Sequence, residues 1–314
     1  MASLDRLREF ADSEHITMRF DEPMAGHTSL RIGGPADLAL FPDEESLAVL
    51  VPFLLDQEIP YVVIGKGTNV LVSDEGIRGA AVFTSGFADV EISFRGSSLS
   101  VADRTEEVML VAHSGCALQR VMGLSLEHGL SGIEGLVGIP GSVGGAVAGN
   151  AGSFGCEMKD VIRSVRLLLY DGTMKTVEGR ELEFGYRTAR LPRDSIIVAA
   201  TLVLAKDDPR DVRKRVRGFM REKKSRQPVN ERSAGCVFKN PAGVAAGRLI
   251  DDAGCKGMKV GGIAVSVLHA NFFVNRGGGT SQEFLRLMEA VTEQVRKRFG
   301  IELEPEIHIV GRVT

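Results

Sequence analysis

A glycine-rich run between residues 132 and 155 constrains this chain more than any other feature. It reads GIEGLVGIPGSVGGAVAGNAGSFG and has nine glycines among 24 residues. Glycine has no side chain, so the backbone can approach a ligand closely and can adopt left-handed dihedral angles. Such a density indicates main-chain amides arranged around phosphate groups, which makes a diphosphate cofactor the first hypothesis. A purely structural glycine-rich loop is the alternative, whereas a collagen-like repeat would need far more proline than the single Pro140.

The composition restricts the classes of function that remain. The chain has 314 residues, of which 44% are hydrophobic, enough for two or three domains. A formal net charge of -3 and the absence of tryptophan argue against a nucleic-acid partner. The charged N-terminus and the lack of a long apolar run predict a cytoplasmic protein with neither signal peptide nor membrane span. The four cysteines and six histidines lack CxxC and HExxH spacing, so we expect no metal, and no obligate protein partner is evident.

Hydrophobic periodicity, caps and turns predict alternating helices and strands. The predicted helices are one capped by Asp43, one over 117–128 that ends at Gly129, one after Pro209 and one from Thr280 to Gly300. The predicted strands are 61–64, a hairpin of 161–170 and 173–177 about Asp171-Gly172, 196–204 and the tail 301–313. A change of composition at 206–209 predicts a domain boundary there.

A second glycine segment, GKGTN at 65–69, follows the predicted strand 61–64. It is no P-loop, because that motif needs consecutive Gly-Lys-Ser/Thr and here Gly67 separates Lys66 from Thr68. It is no dinucleotide fingerprint either, because Val70 stands where the third glycine is required. We therefore expect the two glycine segments, near 65 and 138, to bind one long cofactor in another manner.

Seven blocks of this chain match one family in order and spacing. They are HTSLRIGGPAD (27–37), GKGTNVLVSD (65–74), GLSGIEGLVGIPGSVGGAVAGNAGSFG (129–155), FGYR (184–187), SAGCVFKNP (233–241), AGRLIDDAGCKGMKVGGIAVSVLHANFFVN (246–275) and LEPEIHIVGR (303–312). Through these blocks the chain resembles the UDP-N-acetylenolpyruvoylglucosamine reductases, flavoenzymes that form UDP-N-acetylmuramate for peptidoglycan. The resemblance covers nearly the whole chain from about residue 20 onward.

The resemblance implies an α+β fold of two domains, with FAD as the cofactor and NADPH as the co-substrate. Residues 1–206 would form a bipartite FAD-binding domain of the para-cresol methylhydroxylase and vanillyl-alcohol oxidase type, with subdomains at roughly 1–85 and 86–206. Residues 207–314 would form a smaller α/β substrate-binding domain whose tail strand carries Glu306. The implied flavin-binding residues are Gly65, Lys66, Gly67, Thr68, Asn69, Val70, Gly138, Ile139, Pro140, Gly141, Ser142, Gly144, Gly145 and Asn150.

The family reaction implies roles for three further residues. NADPH reduces the flavin, and a hydride then reaches the vinyl carbon of UDP-N-acetylglucosamine enolpyruvate, so negative charge develops toward its carboxylate. Arg187 and Glu306 would stabilise that charge, with Glu304 as the competing carboxylate, and Cys236 would donate the proton where many members have serine. The residues implied to bind substrate are Tyr186, Arg226, Lys239, Asn240, His269 and Asn271.

The chain departs from the family pattern in three places. Phe154 replaces a common tyrosine, His308 replaces a usual arginine, and VAHSGC at 111–116 replaces a Gly-Ala-Gly-like turn. No long insertion follows Tyr186, which fits the shorter variety of the family. Two other functions stay open: another FAD oxidoreductase on the same fold, and a non-catalytic relative that binds nucleotide sugars.

Overall fold

The structure is a computed structural model that describes residues 2–93 and 106–311. Its helices are α1 (Ala2–Ser13), α2 (Glu44–Asp56), α3 (Leu118–His128), α4 (Val143–Ala148), α5 (Pro209–Arg226), α6 (Ala246–Asp252) and α7 (Ser281–Phe299). Its strands are β1 (Thr17–Pro23), β2 (Pro35–Phe41), β3 (Tyr61–Ile64), β4 (Val70–Val72), β5 (Ile77–Phe83), β6 (Val90–Ser93), β7 (Glu107–His113), β8 (Leu130–Ser131), β9 (Gly152–Ser153), β10 (Cys156–Glu157), β11 (Ile162–Leu168), β12 (Met174–Glu178), β13 (Glu183–Gly185), β14 (Thr188–Arg190), β15 (Ile196–Lys206), β16 (Ser233–Cys236), β17 (Lys259–Val260), β18 (Ile263–Val265), β19 (Phe272–Asn275) and β20 (His308–Val310).

The chain folds into two compact units that interleave along the sequence. The described residues of the first unit fall within Met1–Met18, Leu40–Lys66 and Ala81–Glu222. Those of the second fall within Arg19–Ala39, Gly67–Ala80 and Lys223–Thr314. The α+β class predicted from the sequence is confirmed, because helices pack on sheets that are mainly antiparallel.

The first unit is built on a six-stranded sheet in the order β12-β11-β15-β7-β6, with β8 paired to β15. Alternate residues of β7, namely Val108, Leu110 and Ala112, are fully buried, as expected for a strand with one face on a core. Val121 of α3 and Val216 of α5 lie in the same core. The β11–β12 hairpin turns at Asp171-Gly172 as predicted.

The predicted helix ends are confirmed in both units. Asp43 and Ser46 form a capping box at α2, and the Ser46 amide donates to Asp43 Oδ1 at 2.8 Å. Thr280 and Glu283 form the corresponding box at α7. Gly129 ends α3 in the left-handed region, where a residue without a Cβ is favoured.

The second unit is built on the four-stranded antiparallel sheet β16-β19-β18-β17. One face of α7 supplies buried Phe284, Leu287 and Val291 to its core, which also holds Phe273 of β19. The short strands β4 and β20 pair in parallel, with His308 opposite Val70. This pairing brings a segment near residue 70 next to the C-terminal tail.

Two sequence expectations about chain organisation differ from the structure. The tail was expected to be extended from 301 to 313, but its described part has strand only at His308–Val310, and Glu306 precedes that strand. Before that strand, Pro305 forms an isolated antiparallel bridge with Phe238. The composition change near 206 does not separate the compact units, since α5 belongs to the first unit as far as Glu222.

Packing explains why α5 stays with the first unit. Val216 is in the core, and Arg215 donates from Nε and Nη2 to Glu134 Oε1 at 2.9 and 2.7 Å. Glu134 is buried, and its other oxygen accepts the amide of Gly132 at 2.7 Å. The helix is thus bonded to the start of the glycine run. In the described part of the chain, no helix is both long and apolar enough to span a membrane.

Candidate active site

The glycine run of the first unit forms a loop that leads into α4. Ser142 caps this helix, and its Oγ accepts the amide of Gly145 at 3.3 Å. Gly138 and Gly141 have φ values of 72° and 137°, dihedral angles that are open mainly to glycine. Gly145 is exposed, and a Cβ there would meet only Ser142 Oγ, at 3.5 Å. The loop is therefore preorganised and accessible at residue 145.

The segment VAHSGC (111–116), which departs from the family pattern, accepts hydrogen bonds from this loop. The amide of Gly144 donates to the carbonyl of Ser114 at 2.9 Å, and the amide of Val143 donates to that of Cys116 at 2.8 Å. A Cβ at residue 144 would lie 1.9 Å from Ser114 Oγ, so glycine is required there. The unusual segment therefore supports the loop through main-chain hydrogen bonds.

Gly65, at the end of β3, lies against the same loop. A Cβ there would be 2.4 Å from Ser142 Oγ and 4.0 Å from Thr84 Oγ1. Thr84 Oγ1 is buried and has no hydrogen-bond partner among the described groups, so a polar ligand atom could satisfy it. Sequence reasoning missed Thr84, since a single threonine gives no motif. Lys66, the next residue after Gly65, is exposed.

Arg187 lies in a two-residue turn between β13 and β14. Gly185 pairs with Thr188, which leaves Tyr186 and Arg187 as the turn. Arg187 has a φ of 57°, an uncommon value for a residue with a side chain. Its Nη1 donates to the carbonyl of Gly152 at 3.1 Å, and its guanidinium lies 5.8 Å from the Tyr186 ring centroid.

The first unit also contains three further predicted site residues, Asn150, Ile139 and Pro140. Asn150 is buried, and its amide is bonded within the protein to Glu157, Gly185 and the Lys159 amide. The carbonyl of Ile139 accepts Gln119 Nε2 at 3.2 Å, and Pro140 is exposed. Phe154, the replacement for tyrosine, stacks on Phe219 at 4.8 Å between ring centroids.

In the second unit, the segment 67–70 is joined to the tail that carries Glu306. Asn69 Nδ2 donates to the Glu306 carbonyl at 3.1 Å, and the His308 amide donates to the Asn69 carbonyl at 3.0 Å. Gly67 is tightly enclosed, because a Cβ would lie 2.0 Å from the His27 carbonyl oxygen. Thr68 and Val70 complete this predicted flavin-binding segment.

The segments that carry Cys236 and Glu306 are hydrogen-bonded to each other in the second unit. Cys236 ends β16 opposite Phe272, and the Glu306 amide donates to the carbonyl of Val237, the next residue, at 2.7 Å. Both side chains are half-buried. The competing Glu304 is exposed and forms an ion pair with Lys239. The structure thus places Glu306 in the segment bonded directly beside Cys236.

The other predicted substrate-binding residues of the second unit divide by exposure. Asn271 is buried and bonds both main-chain groups of Phe238. Asn271 Oδ1 accepts the Phe238 amide at 3.0 Å, and Asn271 Nδ2 donates to the Phe238 carbonyl at 2.8 Å. His269 is half-buried, and burial together with the charge of Lys256 lowers its pKa, which favours the neutral imidazole. Arg226 and Asn240 are exposed, and Asn240 Oδ1 accepts the first amide of α6 at 2.9 Å.

Comparison with known proteins gives consistent matches along the chain. A family model described as UDP-N-acetylenolpyruvoylglucosamine reductase, C-terminal domain, matches residues 227–310, and one described as FAD binding domain matches residues 35–178. The UDP-N-acetylenolpyruvoylglucosamine reductase of Caldanaerobacter subterraneus is 36% identical over 310 residues, covering 98% of each chain. That of Geobacter metallireducens is 41% identical over 292 residues, covering 93% of each chain.

A solved structure agrees with these sequence matches. The crystal structure of UDP-N-acetylenolpyruvylglucosamine reductase from Thermus caldophilus superposes with a TM-score of 0.78 at 32% identity, covering 94% of this chain and 99% of the other. The match to the FAD binding domain, which contains the glycine loop and Gly65, fits the cofactor expected from the sequence. The chain therefore belongs to the UDP-N-acetylenolpyruvoylglucosamine reductase family.

Proposed function

We propose that this chain reduces UDP-N-acetylglucosamine enolpyruvate to UDP-N-acetylmuramate with electrons from NADPH, in the cytoplasmic synthesis of peptidoglycan. The observation that carries the proposal is the main-chain hydrogen bond from Glu306 to Val237, which joins the Glu306 segment to the residue after Cys236 in a chain of this family. The small-molecule substrates need neither a nucleic acid, a membrane nor an obligate protein partner. Residues 1–206 are assigned to FAD binding and residues 207–314 to substrate binding, and each of these ranges contributes to both compact units.

FAD is the cofactor, and the glycine loop fits it. Because Gly65 has no Cβ, the space next to Ser142 Oγ stays open. Gly145 is exposed, and Thr84 has a buried hydroxyl group that can bond a ligand. Main-chain amides in the loops 65–70 and 138–145 are assigned to its phosphates. When bound, FAD takes a hydride from NADPH and supplies a hydride to the enolpyruvyl double bond.

Arg187 and Glu306 are assigned to the negative charge that develops on the substrate carboxylate. A guanidinium can bind a carboxylate through two parallel hydrogen bonds, which suits Arg187. Glu306 must act in its protonated form, because only that form can donate a hydrogen bond to an anionic oxygen. Its segment is fixed from two sides, by Asn69 and by Val237.

Cys236 is assigned as the proton donor. After the hydride adds to the terminal vinyl carbon, the thiol gives its proton to the adjacent carbon and becomes a thiolate, which solvent then reprotonates. NADPH, one proton and the enolpyruvyl ether are thus converted to NADP⁺ and the lactyl ether. Cys236 is half-buried at the end of β16.

The remaining assigned residues fall into two groups by exposure. Exposed Tyr186, Arg226 and Asn240, with half-buried Lys239 and His269, are assigned to direct substrate contact. Asn271 is assigned to holding the segment after Cys236, since its amide is fully bonded to Phe238.

The proposed function predicts two separate colour changes in an anaerobic assay. NADPH should bleach the flavin absorbance of the purified protein, and UDP-N-acetylglucosamine enolpyruvate should restore it with formation of UDP-N-acetylmuramate. Stopped-flow absorbance and mass spectrometry measure both steps. Reoxidation by oxygen but not by the enolpyruvyl sugar would indicate another FAD oxidoreductase, and a colourless protein would indicate a non-catalytic binder.

The charge-stabilising roles predict that Arg187→Ala and Glu306→Ala act on one half-reaction. Reoxidation by the enolpyruvyl substrate should slow on the order of a hundredfold, the usual effect of losing one such contact, while NADPH reduction changes little. Arg190→Ala, in the same hairpin and exposed, is the control for Arg187 and should behave as the wild type. Equal losses in both half-reactions would mean that these residues are structural, and a larger loss in Glu304→Ala would transfer the role to Glu304.

The proton-donor role predicts opposite outcomes for two substitutions of Cys236. Cys236→Ser should remain active because a hydroxyl occupies the same position, whereas Cys236→Ala should lose roughly a hundred- to ten-thousandfold in turnover, the range for a general acid. The rate at which NADPH bleaches the alanine variant should stay near normal. Near-wild-type turnover of Cys236→Ala would assign the proton to another donor, such as Ser233 or water.

The assignment of the glycine loop 138–145 to flavin binding predicts that Gly145→Val yields colourless protein. The new side chain meets only Ser142 Oγ at 3.5 Å within the protein, so it should hinder the cofactor rather than folding. Gly141→Val should also lose flavin. Gly123→Val, at an exposed position in α3 with nothing within 4 Å of a Cβ, is the matched control and should bind flavin normally. The ratio of flavin to protein absorbance measures the flavin content of each variant. Normal ratios in both Gly145→Val and Gly141→Val would reject flavin binding by the loop 138–145.

A further inference from the structure

Asn150 occupies a backbone position at which glycine is the usual residue. It follows the end of α4, where its amide donates to the Val147 carbonyl at 3.0 Å and the Ala151 amide donates to the Ala146 carbonyl at 2.7 Å. This pair of bonds is a Schellman motif, and the Asn150 φ of 39° is left-handed. The run around it has nine glycines, yet this position has asparagine. The Asn150 side chain can therefore form hydrogen bonds that glycine could not.

The buried amide of Asn150 joins three segments of the first unit. Nδ2 donates to Glu157 Oε2 at 2.9 Å and to the Gly185 carbonyl at 3.1 Å, and Oδ1 accepts the Lys159 amide at 3.0 Å. Asn150 is 1% exposed, so each of these bonds is shielded from water. Both donor hydrogens and the acceptor oxygen of the amide are used within the protein.

The segment bonded by Asn150 leads directly to Arg187. Gly185 is the last residue of β13, and the turn of Tyr186 and Arg187 begins immediately after it. The left-handed φ of Arg187 is unfavourable for a residue with a side chain and persists only where neighbours hold it. β13 and β14 have three residues each, so their own ladder supplies little restraint.

The guanidinium is fixed by the same region. Arg187 Nη1 donates to the carbonyl of Gly152, which pairs with Glu157 in the β9–β10 ladder. A hydrogen bond from Lys159 holds the pKa of Glu157 below its usual value, and the hydrogen bond from Asn150 and the charge of Arg187 also lower it. Asn150, Glu157 and Arg187 thus form one electrostatic cluster.

We propose that Asn150 is a positioning residue for Arg187: its amide bonds the Gly185 carbonyl and so fixes the turn that presents the guanidinium. The inference rests on the proposed role of Arg187 in the reaction. It gives the Asn150 side chain a task other than the flavin contact expected from the sequence.

Asn150→Gly is the sharpest test, because glycine favours the left-handed backbone and removes only the side chain. Reoxidation by the enolpyruvyl substrate should slow roughly tenfold to a hundredfold, the effect of a displaced catalytic group. Flavin content and NADPH reduction should stay within about twofold of wild type. A wild-type rate of reoxidation, or equal slowing of both half-reactions, would overturn the proposal.

Glu58→Gly is the matched control. Glu58 ends α2 in the same motif, since its amide donates to the Leu55 carbonyl at 3.1 Å and the Ile59 amide to the Leu54 carbonyl at 2.8 Å. Its φ is 53°, and its side chain is exposed. This variant should match wild type in flavin content and in both half-reactions.

Two further measurements separate positioning from general damage. In an Arg187→Ala background, Asn150→Gly should slow reoxidation no further, because the two residues act through one group; independent, multiplying effects would contradict the proposal. In flavin-free protein, backbone amides of residues 183–190 should exchange hydrogen faster in Asn150→Gly than in wild type or Glu58→Gly. Unchanged exchange would overturn the positioning role of Asn150, whatever the substrate of the enzyme is. A wild-type protein that is inactive with the enolpyruvyl substrate would reject only the proposed function.

Asn150→Asp covers the case in which the glycine variant fails to fold. Aspartate keeps the acceptor for the Lys159 amide but replaces the donor with an oxygen that faces the Gly185 carbonyl and Glu157. Reoxidation should slow at least as much as in Asn150→Gly. Normal reoxidation in the aspartate variant would overturn the proposal.

Discussion

Close backbone approach at two glycines is the constraint on which the glycine loop of the first unit depends. The end of β3 can lie against Ser142 only because Gly65 has no Cβ, and the Ser114 segment can bond the loop only because residue 144 has none. These contacts set the path of 141–145 before any cofactor binds. A preformed loop loses little further conformational entropy on binding, which favours affinity.

In the second unit, hydrogen bonds from side-chain amides hold backbone segments close together. Asn271 bonds both main-chain groups of Phe238, and Asn69 bonds the carbonyl of Glu306. The Val237 carbonyl then accepts the Glu306 amide, so two segments about 70 residues apart in sequence share one rigid arrangement. The segments that carry Cys236 and Glu306 are thus positioned by main-chain geometry.

The two units use asparagine for the same physical reason. A short amide side chain can donate and accept at once, and it therefore satisfies main-chain groups that irregular segments leave without a ladder. Asn150 joins segments that no regular sheet connects, whereas Asn69 and Asn271 add side-chain hydrogen bonds next to the β4–β20 and β16–β19 pairs. Sequence patterns do not reveal this use, because the bonded partner lies far away in the chain.

Local rules were enough to predict much of the fold. The caps at Asp43 and Thr280, the left-handed Gly129 and the Asp171-Gly172 hairpin depend on neighbouring residues alone, and all were confirmed. The tail and α5 were predicted less well: the described tail has a strand only at His308–Val310, and the packing of Val216 assigns the helix to the first unit.

The sequence by itself determined the family and the FAD cofactor, since motifs in order carry that information along the chain. The tertiary structure decided which atoms meet: that the Glu306 amide bonds the Val237 carbonyl while Glu304 pairs with Lys239, and that Asn150 bonds the Gly185 carbonyl before the Arg187 turn. Hydrogen bonds act over about 3 Å whatever the separation in sequence, so only the folded backbone can specify these partners.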